Sequence, residues 1–401
     1  MDSESQTDQT QSSSFLLCLP PELRCEIYDV YLEDHRRVSY REQPSYQHLR
    51  MLLICKQIYT EAKPILQRYV SLSHERQIAA FIKSDVDFSR VTYADVANDG
   101  RLVQTMKPAQ GLHPLSQLYL AIRLLTSLRH LRVFECRQGL PFTTTGTIAT
   151  RLVLQSEQAM FPTKSGPELK SYELMLLPDT RAWPLSILTS TSLRRLRLSG
   201  VCILPASTPM PNLRSLSLHG TDGNFFDRHT FTECFPDMHQ LEEFSFALLQ
   251  KTGFELRNRH LESLVQCSGH TMRKLVLLEC TRLTSATIAD CLANLPNLEY
   301  FALSLVTVEE LEANFLLSLP PRVEVLKLKV TNAWYAIVLY EKEQLLYDTM
   351  ETFIQERPFR VVAMNIRSSI MGPLRVERCQ RIASSRGITF TALPWAEDEI
   401  L

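Results

Sequence analysis

The sequence predicts an α/β chain: a small amino-terminal helical block followed by a curved solenoid, with parallel strands on its concave face and helices on its convex face. Three observations predict it. An apolar-x-x-apolar-x-apolar motif recurs through the carboxy-terminal two-thirds of the chain. Segments of helical periodicity that end at turn residues precede several copies. Residues 15–70 carry apolar side chains at three- and four-residue steps, the spacing of one helix face.

Seven segments share the strand motif: Leu128-x-x-Leu131-x-Val133, Leu193-x-x-Leu196-x-Leu198, Leu213-x-x-Leu216-x-Leu218, Leu241-x-x-Phe244-x-Phe246, Met272-x-x-Leu275-x-Leu277, Leu298-x-x-Phe301-x-Leu303 and Val323-x-x-Leu326-x-Leu328. From Leu193 onward the copies start 20, 28, 31, 26 and 25 residues apart, close to the roughly 20–29 residues of a strand-and-helix repeat. The first gap is 65 residues; a weaker copy, Leu169-x-x-Tyr172-x-Leu174, divides it into 41 and 24. The longer piece holds a loop insertion from Gln138 to Thr150. Helical segments are expected at Pro184–Thr189, Leu261–Cys267, Ser285–Asn294 and Leu311–Ser318, with Thr284 or Ser285 as an N-cap. Pro296 and Pro320–Pro321 stop helices before the next strand. Beyond Val330, Val361-x-x-Met364-x-Ile366 and Ile388-x-Phe390 are candidate terminal strands, separated from the regular run by a longer helix around Tyr335–Glu356. No single unit can bury its apolar face, so stacking supplies the core.

The run Leu275-Val-Leu-Leu-Glu-Cys280-Thr-Arg-Leu-Thr284 resembles the cysteine-containing subtype of the leucine-rich-repeat superfamily, in which a Cys follows the strand and a Leu-Thr pair opens the helix. His219 and Gly200 follow their strands instead, so the array is irregular. Repetition from Pro114 onward marks residues 114–401 as the leucine-rich-repeat domain, 71–113 are a connection, apolar periodicity sets off 15–70 as the helical block, and 1–14, without apolar residues beyond Met1, are expected as a disordered leader.

In the helical block Leu19, Leu23, Ile27 and Val30 or Tyr31 line one face. Pro20 and Pro21 stand at the helix start, where a missing N–H costs nothing, and Glu22 suits the first turn. Leu52, Cys55, Tyr59 and Ala62 mark a second amphipathic helix that Pro64 ends or bends. Leu19-Pro-x-Glu-Leu-x-x-x-Ile27, Met51-x-x-x-Cys55-x-x-x-Tyr59 and Ile54-Cys-Lys-Gln-Ile-Tyr-x-Glu-Ala-x-Pro64 together resemble an F-box, in the form abundant in filamentous fungi. That resemblance implies a hook that docks on the Skp-type adaptor of a Skp–cullin–F-box ubiquitin ligase through Leu19, Pro20, Leu23, Ile27, Cys55 and Tyr59. The alternative is that these residues pack the block's own core or cap the solenoid.

Side chains between the inward positions face out from the strands. The outward pairs are His130 and Arg132, Arg195 and Arg197, Ser215 and Ser217, Glu243 and Ser245, Lys274 and Val276, Tyr300 and Ala302, and Val325 and Lys327. Of these, Arg195, Arg197, Ser215, Ser217, Glu243, Lys274, Tyr300 and Lys327 are the candidates for binding a substrate protein. Arg195 and Arg197 suit an acidic or phosphorylated peptide.

Composition narrows the function classes. The chain has 401 residues, 45% apolar and 22% charged, with 43 basic and 44 acidic side chains. A net charge of -1 gives no support to nucleic-acid or membrane-surface binding through bulk charge. The 10 cysteines include no Cys-x-x-Cys pair, and Asn-x-Ser/Thr is absent, which fits the cytoplasm or nucleus better than secretion. No Gly-x-Ser-x-Gly, phosphate-binding Gly-Lys-Ser/Thr or Gly-x-Gly-x-x-Gly segment occurs. His260, Cys267 and His270 match no standard zinc spacing. The reading is a cofactor-free, non-enzymatic adaptor; a leucine-rich-repeat scaffold without a ligase role is the competing class.

Overall fold

Alternation makes the motif a strand: its second and third apolar positions fall two residues apart, on one face of a pleated segment. The computed structural model of the chain describes residues 15–37, 45–73, 75–98, 102–104, 112–114, 117–135, 157, 160–161, 167–178, 180–205, 207–250, 253–307, 311–333, 337–365, 367, 370–396 and 399. Its strands are β1 (Tyr69–Leu72), β2 (Tyr93–Asn98), β3 (Leu102–Gln104), β4 (Leu112–Pro114), β5 (His130–Glu135), β6 (Ser171–Met175), β7 (Arg181–Ala182), β8 (Arg195–Cys202), β9 (Ser215–Thr221), β10 (Glu243–Ala247), β11 (Lys274–Cys280), β12 (Tyr300–Thr307), β13 (Val325–Asn332), β14 (Val361–Asn365) and β15 (Thr389–Thr391). All but β3 and β4 form one 13-stranded sheet, in the order β1-β2-β5-β6-β8 and then sequentially to β15, with β7 beside β8. Adjacent strands run parallel. Strand order that follows chain order, with helices between strands, is an α/β architecture consistent with a curved repeat solenoid.

Register keeps like positions together. Leu196, Leu216, Phe244, Leu275, Phe301, Leu326 and Val362 are successive partners along one inward row, all buried. Leu198, Leu218, Phe246, Leu277, Leu303, Leu328 and Met364 make a second. Each such side chain contributes about 1.5–3 kcal/mol by leaving water. The rows join one continuous core from Val70 to Ile388.

All seven motif copies and the weaker one at Leu169 lie on strands. The sheet also begins earlier than the motif search places it. β1 and β2 fall at and within the stretch expected as a connection, 71–113, and β3 and β4 pair antiparallel there. Val91-x-x-Ala94-x-Val96 is a copy of the motif with Ala in a Leu position, and all three residues are buried. At the other end β14 has the expected location but a register two residues earlier, Phe359-x-x-Val362-x-Met364, because Val362 and Met364 face the core. Ile388-x-Phe390 marks β15 as expected. The leader 1–14 and the insertion Gln138–Thr150 lie outside the described residues.

Helices are α1 (Pro21–Arg36), α2 (Lys56–Leu66), α3 (Glu75–Ile82), α4 (Leu118–Leu124), α5 (Asn258–Ser268), α6 (Ser285–Ala293), α7 (Tyr340–Glu356) and α8 (Pro373–Ser385), with shorter turns between. Thr284 is the N-cap of α6, its hydroxyl accepting from the Thr287 N–H at 3.3 Å. Pro184–Thr189 is no helix: it is a series of turns and bends in which Leu185 has φ 64°. Within Leu311–Ser318 only Phe315–Ser318 coils, as a 3-10 turn. Among the described residues no helix is long and apolar enough to cross a membrane.

The helical block has its own core of Tyr28, Leu32, Ile58, Ala62, Ile65, Leu66 and Tyr69. Its second helix starts at Lys56, later than the periodicity suggests; Gln47–Leu53 is a 3-10 helix and Cys55 is the N-cap, with Sγ 3.5 Å from the Ile58 N–H. Pro64 sits in the last turn without ending it. A bidentate pair ties α1 to α2: Arg24 donates to Glu61 at 2.8 and 2.6 Å. Tyr28 adds a hydroxyl at 3.2 Å. The hydrogen bond from Arg24 holds the Glu61 carboxyl down at about 2.

Gly200, Gly220 and Glu279 occupy the sixth position of their strands with φ 75°, 64° and 56°, a left-handed step. The ladder register shifts just after Leu198 and after Leu277, so this step turns the chain out of the sheet. At Gly200 a Cβ would lie 2.6 Å from the Thr180 carbonyl oxygen and 2.8 Å from that of Leu177. At Gly220 it would meet only the Leu249 side chain, at 3.3 Å. Gly200→Ala is therefore expected to cost about 1–3 kcal/mol from the left-handed backbone, plus the clash. Gly220→Ala should cost less, and urea denaturation of the two variants side by side checks the order.

Candidate functional site

Parallel pairing stacks the outward residues into rows as well. One row runs Tyr69, Tyr93, His130, Ser171, Arg195, Ser215, Glu243, Lys274, Tyr300 and Val325. The next runs Ser71, Asp95, Arg132, Glu173, Arg197, Ser217, Ser245, Val276, Ala302 and Lys327. Every residue predicted for substrate binding stands in one of these two rows.

The amino-terminal part of this face is covered by the helical block. Arg132 donates to both oxygens of Asp95 at 2.8 and 2.6 Å, and the Tyr69 hydroxyl donates to Asp95 at 2.9 Å. A further Arg132 N–H reaches the Arg36 carbonyl at the end of α1, 2.6 Å away. The Arg36 guanidinium lies 3.4 Å from the centre of the Tyr93 ring, which stacks on His130 at 4.4 Å. Burial works against the Arg132 charge, but Asp95 outweighs it and holds the guanidinium above its ordinary pKa.

In the middle, Arg195, Arg197, Ser215, Ser217, Glu243 and Lys274 surround one cavity of about 200 Å³, together with Glu173, His219, Ser245 and Glu399. This is where the structure departs from the basic stripe expected at Arg195 and Arg197. Glu173 stands on the neighbouring strand, so the row reads Asp95, Arg132, Glu173, Arg197, with charges alternating. Burial would raise the Glu173 carboxyl; Arg132, a 2.7 Å hydrogen bond from Ser171 and the two arginines of β8 hold it below the usual range. His219 is buried with Nε2 2.7 Å from the Ser245 hydroxyl, and burial pushes its pKa well down, so it is a neutral polar group. The cavity is thus lined by acidic as well as basic side chains, not by basic ones alone.

At the carboxy-terminal part the face is occupied by the chain itself. Trp395 is 4% exposed and belongs to one buried apolar cluster with the outward side chains Ala247, Val276, Leu278, Ala302 and Ala363. Glu399 accepts from the Tyr300 hydroxyl and from Lys327 Nζ, the latter at 2.5 Å. Tyr300 and Lys327, two of the predicted residues, are therefore engaged by this segment. Nothing periodic announces Trp395 or Glu399 in the sequence. Glu173 had a signal, since it is the outward residue between Tyr172 and Leu174 of the weaker motif copy.

The residues assigned to adaptor docking divide by exposure. Leu23, Ile27 and Tyr59 are 47%, 38% and 44% exposed, Pro20 is exposed, and Leu19 and Cys55 are half-buried. Val30, Leu53 and Ile54 add further exposed apolar surface at 59%, 83% and 64%. The alternative that these residues form the block's own core does not hold for Leu23, Ile27 or Tyr59. Elsewhere, no group of three or more His, Cys, Asp or Glu among the described residues is placed to hold a metal ion. His260 uses both ring nitrogens, on the Arg257 N–H at 3.0 Å and the Phe226 carbonyl at 3.2 Å, and Cys267 donates to the Ser263 carbonyl. A groove of about 420 Å³ between α5 and α6, lined by Glu262, Val265, His270 and Asp290, follows from the packing of consecutive helices.

Two outcomes follow. Asp95→Ala strands a buried guanidinium and is expected to cost about 3–5 kcal/mol in chemical denaturation, most of it recovered when Arg132→Met is added. Burial also depresses His48 and His130 to about 4. Since the unfolded chain titrates its histidines near ~6.5, it takes up protons first as the pH falls. Stability present above that pH should therefore decline progressively down to about 4. Denaturation midpoints at a series of pH values should show this slope, and His48→Phe should flatten it.

No protein-family model matches the chain, and no curated protein matches it significantly in sequence, so the geometry and the motifs carry the functional reading.

Proposed function

We propose that the chain is a substrate-recognition adaptor of a Skp–cullin–F-box-type ubiquitin ligase. Its amino-terminal block docks on the Skp-type adaptor, and the strand face of its leucine-rich repeats holds a substrate protein. It catalyses nothing itself; it raises the effective concentration of the substrate beside a ubiquitin-loaded enzyme. The compartment in this reading is the cytoplasm or nucleus, where such ligases act.

One observation carries the reading: the block has a complete core of its own and still exposes Leu23, Ile27 and Val30 at i, i+4 and i+7 of α1, beside Leu53, Ile54 and Tyr59. An apolar helix stripe left over after the core is built is the form of surface that a partner helix covers. The motif Leu19-Pro-x-Glu-Leu-x-x-x-Ile27 gives that partner its identity by resemblance to the F-box. A second reading has its own support. The Arg36 carbonyl and guanidinium dock on Arg132 and Tyr93, so the block also closes the first strands of the sheet as an end cap would. A scaffold with a helical cap and no ligase role needs that contact and not the exposed stripe.

Co-purification with the Skp adaptor separates the two. Wild-type chain should capture the adaptor. Leu23→Asp with Ile27→Asp should abolish capture while leaving the thermal midpoint nearly unchanged, because both side chains already face solvent. Absence of capture by the wild type, or capture undiminished in the double variant, sinks the ligase reading.

A further inference from the structure

We propose that the strand face over β10–β14 is a peptide groove that binds a segment with an aromatic side chain followed four residues later by a carboxylate. Trp395 and Glu399 are its intramolecular occupants. The inference rests on the reading above only in taking the strand face as the recognition surface.

The seat is built by outward positions. In most repeats the second outward row carries charged or polar side chains, such as Arg132, Glu173, Arg197, Ser217 and Ser245. Over β11, β12 and β14 the same row carries Val276, Ala302 and Ala363. Small apolar residues on an outward strand face have no core to fill; here they share one buried apolar cluster with Trp395, whose ring lies 6.0 Å from Lys327 Nζ. Four residues on, the Glu399 carboxylate meets a cationic and a hydroxyl donor, Lys327 and Tyr300. Lys327 and Lys274 also lie 5.7 and 4.7 Å from the centre of the Tyr300 ring, fixing that ring between them. Aromatic floor contact plus a charge-assisted anchor is a complete recognition unit for a short segment.

Two features mark the occupant as replaceable. The Trp395 indole N–H is buried without an acceptor among the described residues, which weakens the hold of this segment and leaves a donor that a better ligand can satisfy. Glu399 also borders the polar cavity with Arg195, Ser215, Ser217 and Lys274. The groove therefore continues past Glu399 toward β8, and a longer peptide reaches the side chains of Arg195 and Ser215 there.

The probe is a fluorescein-labelled peptide with the sequence of residues 391–401. Fluorescence anisotropy is read against the full chain, a variant lacking 393–401 that keeps β15, and the full chain carrying Trp395→Ala and Glu399→Gln. Both variants should bind the peptide at least tenfold more tightly than the wild type does. Alanine in place of the peptide's Trp, or Lys327→Ala in the truncated chain, should remove that gain. Folding of the variants is checked by circular dichroism. A measurement on the unmodified chain runs independently of it: a saturating, isotopically heavy copy of the peptide should speed hydrogen exchange in the chain's own residues 393–401. Folded variants that gain no affinity, or exchange that stays the same at saturating peptide, overturn the proposal. Adaptor capture is scored on the same preparations. Peptide binding without capture removes the ligase reading and leaves the groove; capture without peptide binding does the reverse.

Discussion

Parallel pairing in register constrains everything else in this chain. Because each strand sets its motif beside the same positions of its neighbour, inward residues stack into two apolar rows and outward residues stack into two rows of mixed chemistry. A repeat of this kind cannot place one functional side chain by itself. It places a column of them, about 4.8 Å apart from strand to strand, and neighbouring repeats decide what each member of the column faces. Arg197 is an example: alone it is a basic group, but between Glu173 and Ser217 it belongs to a charge-balanced floor.

The same constraint explains what could be read before the structure and what could not. The motif at Leu193 through Leu328 is unambiguous because large aliphatic or aromatic residues fill both inward rows, and every one of those copies is a strand. β2 is harder to see because Ala94 takes a Leu position, and β14 is ambiguous in frame because Val361, Val362 and Met364 satisfy more than one frame of the pattern. Pro184–Thr189 has helical apolar spacing, but Leu185 is left-handed and the segment runs as turns and bends. The motif identifies the outward positions but not what faces them, because Glu173 stands on the weaker copy and Trp395 comes from far along the chain.

Long-range closure accounts for that last gap. Trp395 joins a buried cluster with Ala247, Val276 and Ala302 from roughly a hundred or more residues away in sequence, and no local periodicity encodes such an association. At the other end Arg132 reaches the Arg36 carbonyl across an equally long separation. Both contacts cover outward strand positions, which solvent would otherwise wet. The face is thereby narrowed to its middle, from Glu173 to Lys274, where Arg195 and Glu243 remain exposed.

The two covers differ in what holds them, and that difference separates a structural end from a working one. At β2 and β5 the cover closes on a buried ion pair: Asp95 takes two N–H donors of Arg132 and the Tyr69 hydroxyl, and removing either charged partner leaves a charge in a low-dielectric place. Such a contact has one satisfactory arrangement. Over β11, β12 and β14 the cover is an aromatic ring among small side chains, its N–H without an acceptor among the described residues, and a carboxylate, Glu399, whose partners Lys327 and Tyr300 are only partly buried. That arrangement makes most of its contact through shape and apolar area, which another aromatic side chain can reproduce. A fixed cover where the helical block joins the sheet and an exchangeable one at the far end give the face a direction: in the proposed groove, a ligand that takes the place of Trp395 and Glu399 extends from β12–β14 toward the balanced charges of β6 and β8.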